Sequence, residues 1–260
     1  MSHDLLLPVS GFVVGMMVGL TGVGGGVLMT PLLLLLGLPP TGAVGTDLAY
    51  SAFTKLAGAW QHRRQGTIDW RVVRSLAIGS VPATVVAVWA LSVLHRSGSA
   101  ALIEHRLQQM IGVVLVIAAA LMVRKVLVGA PGVASNVNLD LTAFPTARIV
   151  LIGALGGALV GLTSIGSGSL IIALLVMVIA INPQVLVGTD IAHAFLLVTA
   201  GALAHFFFLQ DVQVGIAGRL LIGSIPGVIL GSRLALWVPR RPLQIGMAGL
   251  LMTTAWTLLR

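Results

Sequence analysis

Apolar residues along this chain form long, mostly continuous runs and do not alternate with polar residues. Residues 107–123 and 185–203 are two such runs. A helix that crosses a bilayer needs roughly 20 mostly apolar residues because the hydrocarbon core is about 30 Å thick, whereas a barrel strand is shorter and alternates. The pattern therefore predicts an all-α, polytopic membrane protein.

The apolar runs divide the chain into two halves of the same design. Each half has three ordinary spans, which we place at residues 47–61, 72–94 and 107–127 and at residues 190–206, 216–237 and 243–259. Each half also opens with a longer apolar segment that a glycine-rich cluster breaks. Residues 26–36, after the first cluster, would reach only about halfway across the core at about 1.5 Å per residue. We therefore expect each opening segment to enter the membrane and return as a hairpin of short helices. The alternative is that it crosses, which would give four spans in each half and parallel repeats.

Composition supports the membrane class and excludes several others. The hydrophobic fraction is 57% and only 8% of residues are charged, against about 25% in a soluble domain. The net charge of +8 comes from basic residues in short loops between the spans, where such residues set topology, so we expect no nucleic-acid partner. The chain has no cysteine, which excludes disulfides and thiolate metal sites, and we predict neither a metal nor a cofactor.

Sequence blocks of the first half recur in the second. Gly45-Thr46-Asp47 returns 143 residues later as Gly188-Thr189-Asp190, and residues 78–82 return 144 residues later as residues 222–226. Two glycine triplets with a spacing of four, which we expect to pack helices closely, are 142 residues apart: Gly11, Gly15 and Gly19, and Gly153, Gly157 and Gly161. We predict two homologous transmembrane repeats, residues 1–128 and 147–260, joined by a linker at residues 129–146.

Charge in the loops indicates how the two repeats are oriented. Residues 62–74 contain four arginines, whereas the corresponding residues 206–213 contain no basic residue and one aspartate, Asp211. Residues 233–241 are strongly basic, and the corresponding residues 92–106 carry mixed charge. Because basic loops stay on the cytoplasmic side, opposite charge in corresponding loops predicts inverted repeats, a common design in secondary transporters.

The two glycine-rich breaks are the strongest candidates for a binding site. We expect a new helix after each break, at Val27 and at Ser169, with its free N–H groups and positive dipole end facing the break. Two such breaks, brought together near the membrane midplane, would bind an anion without arginine. The predicted substrate-binding residues lie in or beside these breaks: Thr21, Gly22, Gly24, Gly25, Gly26, Thr163, Ser164, Gly166, Ser167, Gly168 and Ser169.

Four ionisable residues lie inside the apolar segments: Asp47, Lys55, Asp190 and His193. Such residues are functional candidates by default. Asp47 and Asp190 follow Gly-Thr, and they are either caps that open a helix or proton-coupling groups. His193 lies three residues beyond Asp190 on the same helical face and is a third proton-coupling candidate. Lys55 either pairs with a buried carboxylate, helps to bind the substrate anion or extends its ammonium to the membrane surface.

The chain resembles the TauE/SafE family of membrane proteins, often called sulfite exporters. The resemblance rests on Gly-Leu-Thr-Gly-Val-Gly-Gly-Gly-Val-Leu at residues 19–28, on Ala-Val-Gly-Thr-Asp-Leu at residues 43–48 and on Gln-Gly-Thr-Ile-Asp-Trp at residues 65–70. It covers nearly the whole chain. It implies a secondary carrier that moves small sulfur-containing or carboxylated anions, such as sulfite, sulfoacetate or other organosulfonates, usually outward. Many members have a small polar residue at the positions of Asp47 and Asp190, so the resemblance leaves the anion and proton coupling open.

We therefore expect a multi-pass protein of the cytoplasmic (inner) cell membrane that transports a small anion and is not an enzyme. Its partners would be the lipid bilayer and that anion, and a homodimer is left open. An anion channel is the first alternative. An intramembrane hydrolase is the second, in which Ser167 would pair with His193 or His205, although the counterpart of Ser167 is Gly25. His205 and its counterpart His62 lie at span ends, where we expect interfacial anchoring.

Overall fold

In the computed structural model of the chain, residues 3–21, 26–128, 145–179, 181–234, 237 and 240–260 are described. Ten α-helices account for most of them: α1 (His3–Thr21), α2 (Gly26–Leu35), α3 (Pro40–Arg64), α4 (Trp70–Leu94), α5 (Ala100–Val128), α6 (Thr146–Thr163), α7 (Ser169–Val176), α8 (Pro183–Ala204), α9 (Val214–Leu234) and α10 (Arg240–Leu259). Two π-helical turns, His95–Ser99 and His205–Leu209, follow α4 and α8. No strand occurs within these described ranges, so the predicted all-α class is confirmed. The predicted linker lies outside them except for residues 145 and 146.

The helices α3 and α8 begin earlier than predicted. α3 begins at Pro40, and α8 begins at Pro183 after Asn182, whose side-chain oxygen accepts a hydrogen bond from the Gln184 N–H at 3.0 Å. Proline suits the first helical position because the N–H that it lacks would have no partner in the helix. Asp47 and Asp190 are therefore each the eighth residue of a helix, and their interpretation as helix caps is wrong.

Several helices are long and apolar enough to cross a membrane. Within the described residues these are Trp70–Arg124, which contains α4 and most of α5, together with Thr146–Thr163, Gln184–Leu209 and Val214–Leu234. α3 is long but does not belong to this set, although the predicted span 47–61 lies inside it, because α3 contains a carboxylate, an ammonium and a basic last turn. These lengths and compositions confirm a polytopic helical membrane protein.

The outer surface of the bundle is apolar, while its interior contains polar side chains. Ile78 on α4, Leu155 on α6 and Ile222 on α9 expose 64%, 63% and 69% of their surface. Asp47 and His193 are fully buried. Lipid covers such an apolar surface, and ionisable groups inside a membrane bundle mark candidate functional positions.

Two pairs of helices pack through the glycine triplets. α1 lies against α9 and α6 lies against α4, in the two most extensive helix contacts of the bundle. A Cβ atom at Gly15 would lie 2.4 Å from the carbonyl oxygen of Ser224, and one at Gly157 would lie 2.3 Å from that of Ser80. Only glycine permits so close an approach, so the predicted packing role of the triplets is confirmed. In both pairs the first helix of one half packs on a helix of the other half.

The helices α3 and α8, which correspond to each other in the two halves, run in opposite directions. Gly45 near the start of α3 lies beside His205, which follows α8, and Gly188 near the start of α8 lies beside His62 near the end of α3. We call the end of the bundle at which α3 begins the α3 end, and the end at which α8 begins the α8 end. Antiparallel corresponding helices are expected of inverted halves. The inverted repeat within a membrane stays a prediction.

Each opening segment turns back towards the end of the bundle at which it starts. α6 runs parallel to α4, since Gly153 lies against Leu76 and, eight residues further along both helices, Gly161 lies against Thr84. α8 is also parallel to α4, because the turn that follows α4 is hydrogen-bonded to the turn that follows α8 at 2.7 Å. α6 and α8 therefore both start at the α8 end, and α7 leads the chain back there. In the same way α1 is parallel to α9, which begins beside the start of α3, so α1 and α3 both start at the α3 end.

Candidate functional site

The start of α2 meets the second helix break inside the bundle. α2 starts after the first break at Gly26, one residue earlier than predicted, and α7 starts after the second break at Ser169. A Cβ atom at Gly26 would lie only 2.4 Å from the carbonyl oxygen of Ser164, so the start of α2 lies directly against the second break. Among the predicted substrate-binding residues, some lie outside the described positions or have undescribed side chains: Gly22, Gly24 and Gly25, and the side chains of Thr21 and Ser169.

The second break consists of irregular backbone and buried hydroxyl groups. Ser164 ends α6 in the left-handed region with a φ of 59°, and Gly166 follows with a φ of 104°. The Thr163 hydroxyl donates to the carbonyl of Leu159 at 2.7 Å. Ser164 and Ser167 are 1% and 6% exposed. Irregular backbone inside a membrane bundle is tolerated where it lines a site, and broken helices of this kind hold substrates in transporters.

The Asp47 carboxylate accepts hydrogen bonds from side chains of α2 and α3. Its Oδ2 atom accepts a hydrogen bond from the Thr30 hydroxyl on α2 at 2.5 Å, and its Oδ1 atom accepts one from the Ser51 hydroxyl one turn along α3 at 3.2 Å. The Asp47 carboxylate therefore joins α2 of the first hairpin to α3.

Asp190 has the corresponding place in the second half but different surroundings. It is 5% exposed, and its Oδ1 atom has no hydrogen-bond partner. A Cβ atom at Gly168 would lie 3.5 Å from its Oδ2 atom, so the carboxylate faces the second break. The counterparts of Thr30 and Ser51 are Ile172 and Ala194, which cannot donate a hydrogen bond. The two aspartates share the same sequence motif, but their carboxylates differ in the hydrogen bonds that they accept.

Lys55 brings a positive charge to the same place. It lies eight residues after Asp47, two turns along the same face of α3, and its Nζ atom donates to the Ser167 carbonyl at 3.5 Å. Its ammonium interacts electrostatically with Asp190 and with Asp47. Among the described residues, however, neither carboxylate reaches it within the ion-pair distance of 4.0 Å. The ammonium points into the site rather than to the membrane surface.

His193 and Tyr50 are counterparts that each bond to a serine of the other half. The Nε2 atom of His193 lies 2.8 Å from the Ser80 hydroxyl on α4, and the Tyr50 hydroxyl is hydrogen-bonded to Ser224 on α9. His193 is fully buried, and its Nδ1 atom has no partner. The structure therefore brings His193, Asp190, Lys55 and the second break together. The Nδ1 atom of His193, like the Oδ1 atom of Asp190, is available to a ligand.

The Gly-Thr pair before each aspartate has a role that the sequence does not indicate. The Thr46 hydroxyl accepts a hydrogen bond from the Gln213 N–H at 3.0 Å, and the Thr189 hydroxyl accepts one from the Asp69 N–H at 2.8 Å. A Cβ atom at Gly188 would lie 2.2 Å from a carbonyl oxygen of the same turn. Each Gly-Thr pair therefore binds a turn of the other half. The only sequence signal for this role is that the pair recurs.

The expected interfacial role is wrong for His205. This residue is fully buried, its Nε2–H donates to the Gly161 carbonyl at 3.0 Å, and its Nδ1 atom lies 3.3 Å from Asp211. It therefore joins the end of α6 to the turn after α8. Its counterpart His62 bonds to the Thr67 hydroxyl at 2.8 Å and is partly buried. Among the described residues, no group of three histidine, cysteine, aspartate or glutamate side chains is arranged to hold a metal ion.

Comparisons with known proteins identify the family. The family model "Sulfite exporter TauE/SafE" matches residues 7–258. The probable membrane transporter protein YjnA of Bacillus subtilis is 41% identical over 261 residues, which cover 100% of both chains. A probable membrane transporter protein of Methanocaldococcus jannaschii is 28% identical and covers 91% of this chain and 88% of its own length. No solved structure matches the chain. The chain therefore belongs to the TauE/SafE family of membrane transporters.

Proposed function

We propose that this protein is a secondary transporter that exports a small anion such as sulfite, sulfoacetate or a related organosulfonate. The observation that carries the proposal is the partly buried Lys55 ammonium, which lies beside the second helix break and has no close ion pair among the described residues. A partly buried cation without a close partner is unfavourable, and an anion would stabilise it.

The surrounding groups suit a small oxyanion. The starts of α2 and α7 direct free N–H groups and positive dipole ends towards the breaks. Ser164 and Ser167 add buried hydroxyls beside them. An anion with several oxygens, such as a sulfonate, would accept hydrogen bonds from these donors while its charge pairs with Lys55.

Charge at the two ends of the bundle supports an orientation. The α8 end carries ten of the fifteen lysine and arginine residues: Arg63, Arg64, Arg71, Arg74, Arg124, Lys125, Arg148, Arg233, Arg240 and Arg241. By the positive-inside rule this end faces the cytoplasm. The hairpin of α6 and α7 would then enter from the cytoplasm and that of α1 and α2 from outside. Rocking of the two halves about the meeting point would expose the site to each side in turn.

The environment of the histidines does not favour the hydrolase alternative. The Nε2 atom of His193 is bonded to Ser80, and that of His205 is bonded to the Gly161 carbonyl. Both Nε2 atoms are therefore already engaged, and only the Nδ1 atom of His193 is left without a partner to act as the base that a serine nucleophile needs. We retain the anion channel as the rival that an experiment has to separate from a carrier.

Flux measurements in proteoliposomes test the proposal. Purified protein would be reconstituted and loaded separately with sulfite, sulfoacetate or isethionate (2-hydroxyethanesulfonate). A carrier is expected to accumulate external labelled anion transiently when the vesicles contain excess unlabelled anion, whereas a channel only equilibrates it.

Lys55→Gln should lower the initial rate by about tenfold or more, since a hydrogen bond to a charged group contributes about 1.5–3 kcal/mol. Arg106→Gln, at an exposed arginine of α5, is the matched control and should leave the rate unchanged. Full activity of Lys55→Gln would contradict the proposed site.

A further inference from the structure

The two corresponding aspartates do not have the same hydrogen-bond partners. Asp47 receives hydrogen bonds from Thr30 and Ser51. Asp190, 5% exposed, has an oxygen with no partner at all, and it faces Gly168 at the start of α7. Hydrogen bonds donated to a carboxylate stabilise its ionised form. These hydrogen bonds favour the ionised form of Asp47 relative to that of Asp190, which has a vacant oxygen that can take up a proton.

The ionised side chains at the site carry a net negative charge. Lys55 contributes one positive charge, and Asp47 and Asp190 together contribute two negative charges when both are ionised. An anion that enters this site then meets an excess of negative charge, in a buried place where repulsion is poorly screened. One proton on Asp190 leaves Lys55 balanced by Asp47 alone and removes the excess.

We propose that Asp190, and not its counterpart Asp47, takes up one proton with each substrate anion and so makes the Lys55 ammonium available to it. The inference rests on the proposed function. The step forms one O–H bond on the unpartnered Asp190 oxygen and breaks none in the substrate, and the proton comes from water on the side to which the site is open.

Among the described residues, few other titratable or charged groups face Asp190. On the helices that pack against α8, the titratable or charged groups that face the site are Lys55 and Asp47 on α3, with His193 on α8 itself. α4 contributes only the Ser80 hydroxyl, and α6 and the second break contribute serines and a threonine. The arginines of these helices are exposed at the α8 end: Arg63, Arg64, Arg71, Arg74 and Arg148.

Binding of a proton together with the anion determines which gradients drive transport. An anion and a proton that bind together also travel in the same direction. An inward proton gradient would therefore oppose export, and net export would require an outward gradient of the anion. A carrier that exchanges the anion for a proton would respond in the opposite way.

The test compares wild-type protein, Asp190→Asn and Asp47→Asn in proteoliposomes that contain a pH-sensitive dye. Sulfoacetate is the probe because none of its groups titrates between about pH 6 and 8, and isethionate replaces it if the wild type moves only that anion. We expect the wild type to carry about one proton with each anion. Asp190→Asn should still exchange labelled for unlabelled anion but move no protons. Asp47→Asn, the same substitution at the corresponding position, should keep the proton movement even if its rate falls.

Each other outcome overturns the inference. Proton movement that persists in Asp190→Asn, or that is lost equally in Asp47→Asn, contradicts the assignment to Asp190. A wild type that moves neither anion overturns the proposed function first, and this is visible before the variants are compared. If Asp190→Asn does not fold, the pH dependence of anion binding to the wild type in detergent tests the inference instead. The apparent affinity should fall by up to about tenfold for each pH unit above the range in which Asp190 is protonated, because one proton is linked to binding. An affinity that does not change with pH would rule out the coupling.

Discussion

His193 on α8 and Ser80 on α4 join the two halves of the protein through a buried hydrogen bond of 2.8 Å between the imidazole Nε2 atom and the serine hydroxyl. The other ring nitrogen has no partner. The bond lies within a few residues of Asp190 along α8, so it fixes the face on which both ionisable groups point into the site. The corresponding bond in the first half, between Tyr50 and Ser224, has no histidine, which makes the site chemically asymmetric.

Loss of the Ser80 hydroxyl should destabilise the protein and reduce transport. Ser80→Ala leaves the buried imidazole without either hydrogen-bond partner, at a cost of about 1–3 kcal/mol in the free energy of unfolding. Ser92→Ala is the matched control on the same helix, because the Ser92 hydroxyl is also buried but bonds only to the Trp89 carbonyl within α4. Thermal unfolding in detergent and flux of the labelled anion would be measured for both. Equal stability of the two variants would contradict a bridging role for Ser80.

Packing through the glycine triplets makes a second prediction. Gly157→Ala would place a Cβ atom 2.3 Å from the Ser80 carbonyl oxygen, so α6 and α4 have to separate, and overpacking of this kind costs typically about 1–3 kcal/mol. Gly249→Ala in α10 is the control, since a Cβ atom there meets nothing within 4 Å. Alanine is the better helix former by about 1 kcal/mol, so the control should be neutral or stabilising. Melting temperatures that change equally in both variants would contradict a specific packing role for Gly157.

The sequence predicts the features of this fold that depend on residues close together in the chain, and it does not predict those that depend on residues far apart. The glycine triplets predict close helix packing because their spacing of four places them on one helical face, a local property. The hydrophobic pattern does not predict the starts of α3 and α8, because it weakens around Gly-Thr-Asp while the prolines that start each helix lie seven residues earlier. The local polarity predicts a helix end there, whereas the structure has a buried site.

The difference between the two aspartates could not be predicted from either motif. Gly-Thr-Asp reads the same in both halves. What separates them is Thr30, which reaches Asp47 only because the first hairpin brings α2 against α3. In the same way, the partners of Thr46 and Thr189 are 167 and 120 residues away in the chain. Such contacts become visible only when the helices are placed side by side.

The second break gives a third prediction, about transport rather than stability. Gly166 has a φ of 104°, which residues with a side chain rarely adopt, and a Cβ atom there would lie 2.8 Å from Leu170 on α7. Gly166→Val should therefore deform the break and abolish transport while folded protein remains in the membrane. Gly98→Val is the control, because Gly98 has a φ of 87° but no neighbour within 4 Å and lies in the turn after α4. The cost of strain, roughly 1–3 kcal/mol, should be similar for both, so retained transport in Gly166→Val would contradict a site at this break.

The two Gly-Thr docking bonds should contribute independently to stability. Thr46→Val and Thr189→Val each remove a hydroxyl that accepts a backbone N–H of the other half, and each should cost about 0.5–1.5 kcal/mol. The two bonds lie at opposite ends of the bundle and share no partner, so the double variant should lose the sum within about 0.5 kcal/mol. Unfolding in a series of denaturant concentrations would measure the three values. A double variant that loses much more than the sum would indicate that the two ends are coupled through α3 and α8.

The orientation of the two halves can be tested cleanly because the chain contains no cysteine. Gln65 in the turn after α3 and Gln213 in the turn after α8 are both exposed and lie in corresponding loops. If the halves are inverted and the basic α8 end is cytoplasmic, Gln213→Cys should react in intact cells with a maleimide that cannot cross the membrane, whereas Gln65→Cys should react only after lysis. Ser97→Cys, exposed in the turn after α4 at the α3 end, serves as a second outside position and should label like Gln213→Cys. Labelling of Gln65→Cys and Gln213→Cys from the same side would contradict the inverted repeat. Labelling of Gln65→Cys alone in intact cells would keep the repeat but reverse the orientation, so that the hairpin of α6 and α7 would open to the outside.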